Sequence, residues 1–436
     1  MEAATTDPFT PTNAPPPVFL SFLASQGLTL EDCLPDAPTN RFFRIRADPS
    51  QHDEIVRELE KELECTPAPV AWLPNFYSIP ADVKISSTEA YKKGFIFGMD
   101  ASSGVAVMAL DVQPHHHVLD LCAAPGAKLC LIYDTMLALA SSSLSSSSSP
   151  SSQTASSSPD VFPGTITGVD ISKDRLATCK SILKKCRVNR ARLYATDGTT
   201  FDVGAPVLVR RRAAVGASLP KAGDSDDASP NISLGEDEDD LAHPVQQIDT
   251  QNTPAPLLTS NDTSAKTVSD RTTPPAFSHQ KPFHIPRLLR LPPSPTPILY
   301  DRVLVDAECT HEGSSVHLRK YTGWWDWSRF EEKFFGEGRV EGLPEMQGRL
   351  LENAWRMVKP GGLVVYSTCS LAPTQNEHVL LPFLHAHPTA RLERIPGWED
   401  RPASQPKADG LEGAERFEWR KSGTKGFFVA RVRKLE

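Results

Sequence analysis

Two cysteines and three aspartates occupy the positions where a protein of this kind would place reactive groups, at the ends of apolar runs. The stretch Lys359 to Leu371, KPGGLVVYSTCSL, carries the apolar residues Leu363 to Tyr366 and then breaks into Ser367-Thr368-Cys369-Ser370. An unbroken apolar run behind a Pro-Gly-Gly turn reads as a parallel strand covered on both faces, and open α/β sheets bind ligands at the carboxyl ends of such strands. Cys369 is therefore a candidate nucleophile, and the alternative is a small buried hydrophobe, the usual role of a free cysteine. Leu304-Val305-Asp306-Ala307-Glu308-Cys309 repeats the arrangement with an acid and a second thiol. A thiol that attacks carbon must be shifted toward thiolate or lose its proton during the attack.

A third stretch, Val118-Leu119-Asp120-Leu121-Cys122-Ala123-Ala124-Pro125-Gly126-Ala127-Lys128, is a strand feeding a tight turn and then a helix. Small residues at 123, 124, 126 and 127 let the backbone approach a ligand closely, and its amides favour negative groups. The run is not a GxGxxG fingerprint, which argues against a dinucleotide site, and a Walker A loop is absent. The next two strands end in Gly168-Val169-Asp170 and Ala195-Thr196-Asp197-Gly198. An acid at the second tip is placed for ribose hydroxyls, and one at the third for the adenine side. Each aspartate alone reads more readily as a helix N-cap than as a ligand contact. Compatible groups at four strand tips in succession are much less easily explained by capping.

The elements that must position these groups alternate. Strands are expected at Val118–Cys122, Thr165–Val169, Arg192–Ala195, Arg302–Val305, Leu363–Ser367 and Phe427–Val432, with helices after Gly126 and over Lys173–Cys186, Leu343–Val358 and Gln375–His385. This predicts an α/β fold with a mostly parallel, doubly wound sheet. Ahead of it, residues 18–84 read as a small α+β accessory domain. Its predicted elements are a helix through Phe19 and Leu23, a strand Arg41–Ile45, a helix with Ile55, Leu59 and Leu63 on one face, and a strand Val70–Leu73. Residues 1–17 are expected to be disordered, as are insertions at about 140–162, nearly pure serine, and 204–295, rich in Pro, Ser, Thr and Asp. The main α/β domain is then 85–436.

The formal net charge is −8 over 436 residues, which argues against binding nucleic acid through an overall basic surface. The acidity concentrates in Asp224 to Asp240, however, leaving Arg187, Arg190, Arg192, Arg319 and Lys320 to form a local basic face. Eight cysteines without a CxxC pair or a signal peptide read as reduced thiols inside the cell, in cytoplasm or nucleus, with no metal site. Apolar runs fall short of a membrane span, so no membrane partner is expected. His115-His116-His117 reads as a solvated loop, and Trp324-Trp325-Asp326-Trp327 as either an RNA-stacking surface or a cover for the sheet.

Taken together, VLDLCAAPGAK, GVDIS, ATDG, VLVDAEC and KPGGLVVYSTCSLAPTQNE, with FIFGMDASS before them and GFFVARV after, resemble the NSUN/Sun/RsmB-type RNA (cytosine-5)-methyltransferases. The resemblance covers roughly Phe42 to the C-terminus, apart from the two insertions. It implies a class I, Rossmann-like methyltransferase fold. It further implies S-adenosyl-L-methionine held by Cys122, Ala123, Ala124, Pro125, Gly126, Ala127, Lys128, Asp170, Arg175, Asp197 and Asp306. The reaction implied is methylation of carbon 5 of cytosine in RNA, tRNA ahead of ribosomal RNA, by a monomer. Either Cys309 is the nucleophile, or Cys369 is, with Cys309 assisting product release and Asp306 holding the base. Cys369 is preferred because its surroundings match the family. Around Cys309 the chain departs from the pattern, with Glu308 where proline is usual and Thr310-His311-Glu312-Gly313 in place of Ser-Gly. Ala127 likewise replaces a glycine, and Leu129 a common threonine. The altered loop keeps open a third reading, a catalytically silent RNA-binding or assembly factor.

Overall fold

The computed structural model describes residues 14–145, 162–206, 277–289, 298–323, 326–397 and 400–435. The segments expected at 1–17, 140–162 and 204–295 fall largely outside these, as do Trp324 and Trp325.

The first sheet is built near the N-terminus from β1 (Arg41–Ile45), β2 (Ala68–Pro69), β3 (Phe76–Ile79) and β4 (Ile96–Gly98), in the antiparallel order β2-β3-β1-β4. The helices of this part are α1 (Pro17–Ser25), α2 (Leu30–Cys33), α3 (His52–Leu63) and α4 (Glu89–Lys92). Ile55 and Leu59 of α3 are buried against Phe43, Ile45, Ile79 and Ile96 of the sheet, as the four-residue spacing requires. Val70–Leu73, expected as a strand, is the turn between β2 and β3. Val70 N–H donates to Phe76 O at 2.9 Å and Leu73 N–H to Val70 O at 3.0 Å, and Asn75 closes the reversal at φ 67°.

The second sheet holds β5 (His117–Asp120), β6 (Thr165–Asp170), β7 (Ala191–Ala195), β8 (Tyr300–Asp306), β9 (Val358–Thr368), β10 (Ala390–Glu393), β11 (Glu415–Phe417) and β12 (Phe427–Lys434). Its order is β10-β12-β9-β8-β5-β6-β7, with β11 paired to β12. Strands β5 to β9 run parallel, whereas β10, β11 and β12 are antiparallel additions at one edge. The remaining helices are α5 (Ala101–Ala109), α6 (Ala127–Ser145), α7 (Lys173–Lys185), α8 (Ser315–Gly323), α9 (Trp327–Phe335), α10 (Arg339–Met357), α11 (Glu377–Ala386) and α12 (Trp419–Ser422).

Helices cover both faces of this sheet. Val118, Leu304 and Val365 pack with α5, α6 and α7 on one side. Leu119, Val303, Val305, Val364 and Tyr366 pack with α10 and α11 on the other. Alternate residues of each central strand thus enter opposite cores, which is why the runs carry no polar interruption. The chain leaves β5 to one side through β6 and returns on the other as β8, so the order reverses at β5. That reversal opens a crevice beyond the carboxyl ends of β5 and β8.

Two further contacts tie the N-terminal segment to the large sheet. Phe19 and Leu23 of α1 enter an aromatic cluster with Tyr321, Trp327, Phe330 and Phe335, so Trp327 is core. Arg44 and Arg46 of the first sheet both reach Asp134 of α6, at 2.6 and 2.8 Å.

Candidate active site

The turn after β5 places its backbone in the crevice. Cys122 N–H donates to Asp120 Oδ1 at 3.1 Å, and Ala124 N–H donates to Asp170 Oδ2 at 3.2 Å across the gap to β6. Arg175 returns the contact from α7, donating to Ala124 O at 2.7 Å and standing 3.5 Å from Asp170. Gly126 sits at φ +110°, a conformation L side chains avoid, and a Cβ there would lie 2.7 Å from the Cys179 sulfur. The peptide between Ala124 and Pro125 is cis. At the tip of β7, Asp197 is exposed and accepts from Thr199 N–H at 2.8 Å.

Asp306, at the end of β8, is held from both sides. Lys128 Nζ approaches one oxygen at 2.8 Å, and Ser367 Oγ–H from the neighbouring strand donates to the other at 2.7 Å. Its carboxylate therefore faces the crevice in one orientation.

Beyond Asp306 and Ser367, the loops after β8 and β9 bring the two thiols together. Cys309 Sγ and Cys369 Sγ are 3.1 Å apart. Cys309 is buried and Cys369 half-buried. His311 Nδ1 lies 3.1 Å from Cys369 Sγ. Glu312, fully buried, joins the two loops. It accepts from the Leu371 and Ala372 amides at 2.8 and 3.0 Å, from the Ser370 hydroxyl, and from Thr310 Oγ at 2.5 Å. Gly313 completes the seam by donating to Cys369 O at 3.1 Å while accepting from Gly426 N–H at 2.7 Å. A Cβ on Gly313 would lie 2.4 Å from Cys369 O, so only glycine fits.

Burial sets the protonation of the site. The Asp120 carboxyl is pushed up to about 7, first by burial and then by Asp306 and Asp170, against the pull of the Cys122 amide and Lys128. Asp170 is raised by its burial, with Arg175 drawing it back. The Cys369 thiol is held well above its ordinary value by the Cys309 thiol against it and by burial, while His311 pulls it down. Cys369 thus rests as a neutral thiol beside a ring nitrogen.

The residues read from the sequence converge. Cys122 to Lys128, Asp170, Arg175, Asp197 and Asp306 stand at the tips of adjacent parallel strands, and Cys309 and Cys369 meet at their edge. Glu308, the departure beside Cys309, turns to Arg339 of α10, and its carbonyl accepts from Gln347 at 2.7 Å. The sequence reading did not assign His311, Glu312 or Asp120 to the site. Asp120 is concealed inside an apolar run. His311 and Glu312 stood in view as the odd residues of the loop, but their partners are 58 to 60 residues away. Cys309, His311 and Cys369 also form a group of potential metal ligands, all within 4.8 Å of one another.

Among the described residues, no helix is long and apolar enough to cross a membrane. The family model described as 16S rRNA methyltransferase RsmB/F matches residues 289–433. The tRNA (cytosine(49)-C(5))-methyltransferase of Pyrococcus abyssi is 31% identical over 145 residues, 31% of this chain and 42% of that protein. Ribosomal RNA small subunit methyltransferase B of Salmonella paratyphi A is 31% identical over 133 residues, 30% of this chain and 26% of its own length. The chain thus spans less than half the length of these curated relatives. NSun6 from Pyrococcus horikoshii, solved with SFG, superposes with a TM-score of 0.55 at 14% identity, covering 93% of both chains. A methyltransferase homolog protein from the same organism gives a TM-score of 0.54 at 18% identity, covering 96% of this chain and all of the other. The RsmB/F match includes both thiols and the Asp306 tip, and the solved structures share the fold over nearly the whole chain.

Proposed function

We propose that the protein methylates carbon 5 of cytosine in RNA, using S-adenosyl-L-methionine and a covalent bond between Cys369 and the base. One observation carries the reading. A half-buried thiol, paired with a second thiol at 3.1 Å, stands one strand from a carboxylate-lined crevice of the methyltransferase type.

The donor set suits the cofactor. Asp170 offers acceptors for a vicinal diol, exposed Asp197 for an amine, and the carboxylates together favour a positive sulfonium. When bound, S-adenosylmethionine supplies an electrophilic methyl group. Everything else falls to this chain. Cys369 Sγ adds to carbon 6 of the ring, its proton passing to an acceptor, and the carbon 5–carbon 6 π electrons become available at carbon 5. Asp306, held by Lys128 and Ser367, retains lone pairs to accept from the exocyclic amine. After methyl transfer the carbon 5 proton is removed and the carbon–sulfur bond breaks, Cys309 assisting release. A paired base does not reach such a pocket, so the target is unpaired or flipped out.

The P. abyssi relative is named for tRNA, so tRNA is tested first and ribosomal RNA second. The protein is incubated with methyl-labelled S-adenosylmethionine and each RNA class, and modified cytosines are mapped by bisulfite sequencing. Methylation of cytosine in either class supports the reading. Binding of RNA without methylation of either supports the silent factor instead.

A further inference from the structure

We infer that His311 is a catalytic residue, the base that takes the proton from Cys369 as the thiol attacks. The inference rests on the reading of Cys369 as nucleophile and adds the group that activates it.

A thiol held neutral by burial and by a second thiol needs a proton acceptor in contact at the moment of attack. His311 Nδ1, 3.1 Å from Cys369 Sγ, is in that position. Three features of the loop hold it there. The residue is at φ 59°, a left-handed conformation uncommon for a side chain of this size. The Glu312 carboxylate pins the backbone immediately beyond it to Leu371 and Ala372. The ring packs against His317 of α8 and Phe334 of α9, with centroids 5.6 and 5.2 Å away. Among the described residues, the titratable groups these contacts bring to the imidazole include the Cys369 and Cys309 thiols, His317, and Glu312, whose carboxylate accepts from the Leu371 and Ala372 amides of the opposite loop.

The alternative use of the same three donors is a metal. Two thiolates sharing one tetrahedral zinc ion stand about 3.8 Å apart, because each Zn–S bond is ~2.3 Å. Here the sulfurs are 3.1 Å apart, closer than one zinc ion would hold them, and His311 Nδ1 is within proton-transfer reach of Cys369 Sγ at 3.1 Å. The step balances. The S–H proton passes to Nδ1, the sulfur lone pair forms the bond to carbon 6, and on elimination the sulfur leaves with that pair and recovers a proton from the imidazolium.

The test reads the thiol directly, without RNA. Cys369 alkylation by iodoacetamide is followed by peptide mass spectrometry from pH 6 to 10 in the full chain, in H311N and in H311G. Asparagine and glycine both tolerate the left-handed backbone, and circular dichroism checks that each variant folds. In H311N, alkylation at neutral pH is expected to slow at least tenfold and its pH profile to move upward. Methyl transfer in the same variant is expected to fall by roughly 10² to 10⁴-fold, the usual contribution of a general base. Free imidazole, added to H311G, is expected to restore part of both rates, and to do nothing for H311N. An unchanged alkylation profile in H311N, or no rescue of folded H311G, overturns the assignment. Failure of the wild-type protein to methylate RNA while the alkylation profile shifts as expected counts against the proposed reaction and leaves the Cys369–His311 pair standing.

Discussion

Cys309 Sγ touches Cys369 Sγ at 3.1 Å although 60 residues separate the two in the chain. Two adjacent parallel strands, β8 and β9, bring them together, and the contact divides their roles. In the proposed reaction Cys369, the more accessible, forms the bond to the base, and Cys309 assists its release. Replacing Cys309 with alanine should therefore stall the reaction after attack, giving a protein–RNA adduct that survives denaturing electrophoresis. Replacing Cys369 should abolish both adduct and methylation. Robust turnover by C369A would sink the mechanism.

Asp170 organises the turn through the Ala124 amide, and in the proposed reaction it meets the ribose of the cofactor. Losing a hydrogen bond to a charged acceptor costs about 1.5–3 kcal/mol. D170N should accordingly weaken S-adenosylmethionine binding by roughly 10 to 100-fold in calorimetric titration. An unchanged dissociation constant would remove Asp170 from the binding site.

Glu312 satisfies two buried amides and two hydroxyls at once. With alanine there, the Leu371 and Ala372 N–H groups are left without this acceptor, at about 1–3 kcal/mol each. The expected loss for E312A is about 2–6 kcal/mol in urea unfolding, together with faster exchange of those two amides. Wild-type stability in E312A would mean that the loops are held by other contacts.

The Asp120 carboxyl, raised from 3.8 to about 7 by burial, makes stability depend on pH. Below about pH 4 the group is protonated in both folded and unfolded chains, and its contribution is fully present. Between 4 and 7 the unfolded chain releases the proton while the folded one keeps it, so stability falls as pH rises. The total is on the order of 4 kcal/mol, about three units at 1.36 kcal/mol each. D120N keeps an acceptor for Cys122 N–H and loses the titration. Its urea midpoint should vary less than that of the wild type between pH 4.5 and 8 and should exceed it at pH 8. Parallel curves would show that Asp120 ionises normally.

The ends of the long polar insertion lie side by side in the fold. Ala205 N–H donates to Ile298 O at 2.8 Å, and Ser278 N–H to Asp202 O at 3.2 Å. Phe283 and His284 pair with Leu193 of β7, the edge strand. A chain with residues 210–270 replaced by a short Gly-Ser linker should keep its melting temperature within a few degrees and retain its activity. A larger deletion that also removes 277–289 should aggregate, because it bares the β7 edge.

Much of this architecture was legible in the sequence because the central strands feed two cores at once. Val118 and Leu119, or Val364 and Val365, point to opposite faces, and both must be apolar. The edge was harder to read. β10, β11 and the pair β2 and β3 are short, and the Val70–Leu73 run that resembled a strand is a turn closed by Pro74 and Asn75. In the site, the carboxylates and thiols were visible at strand tips, where position alone suggests chemistry. His311 and Glu312 were visible only as departures from a familiar loop. What they do depends on contacts 58 to 60 residues away, which local patterning does not record.

Asp134 receives three hydrogen bonds, one from Arg44 and two from Arg46, at 2.6 to 3.0 Å. Separating the antiparallel sheet from α6 would strand two guanidinium groups that are almost wholly enclosed, along with the carboxylate between them. The antiparallel sheet should therefore have no independent melting point. Heat or denaturant is expected to take both sheets in one cooperative event, and limited proteolysis to find no seam at which to release the smaller one intact.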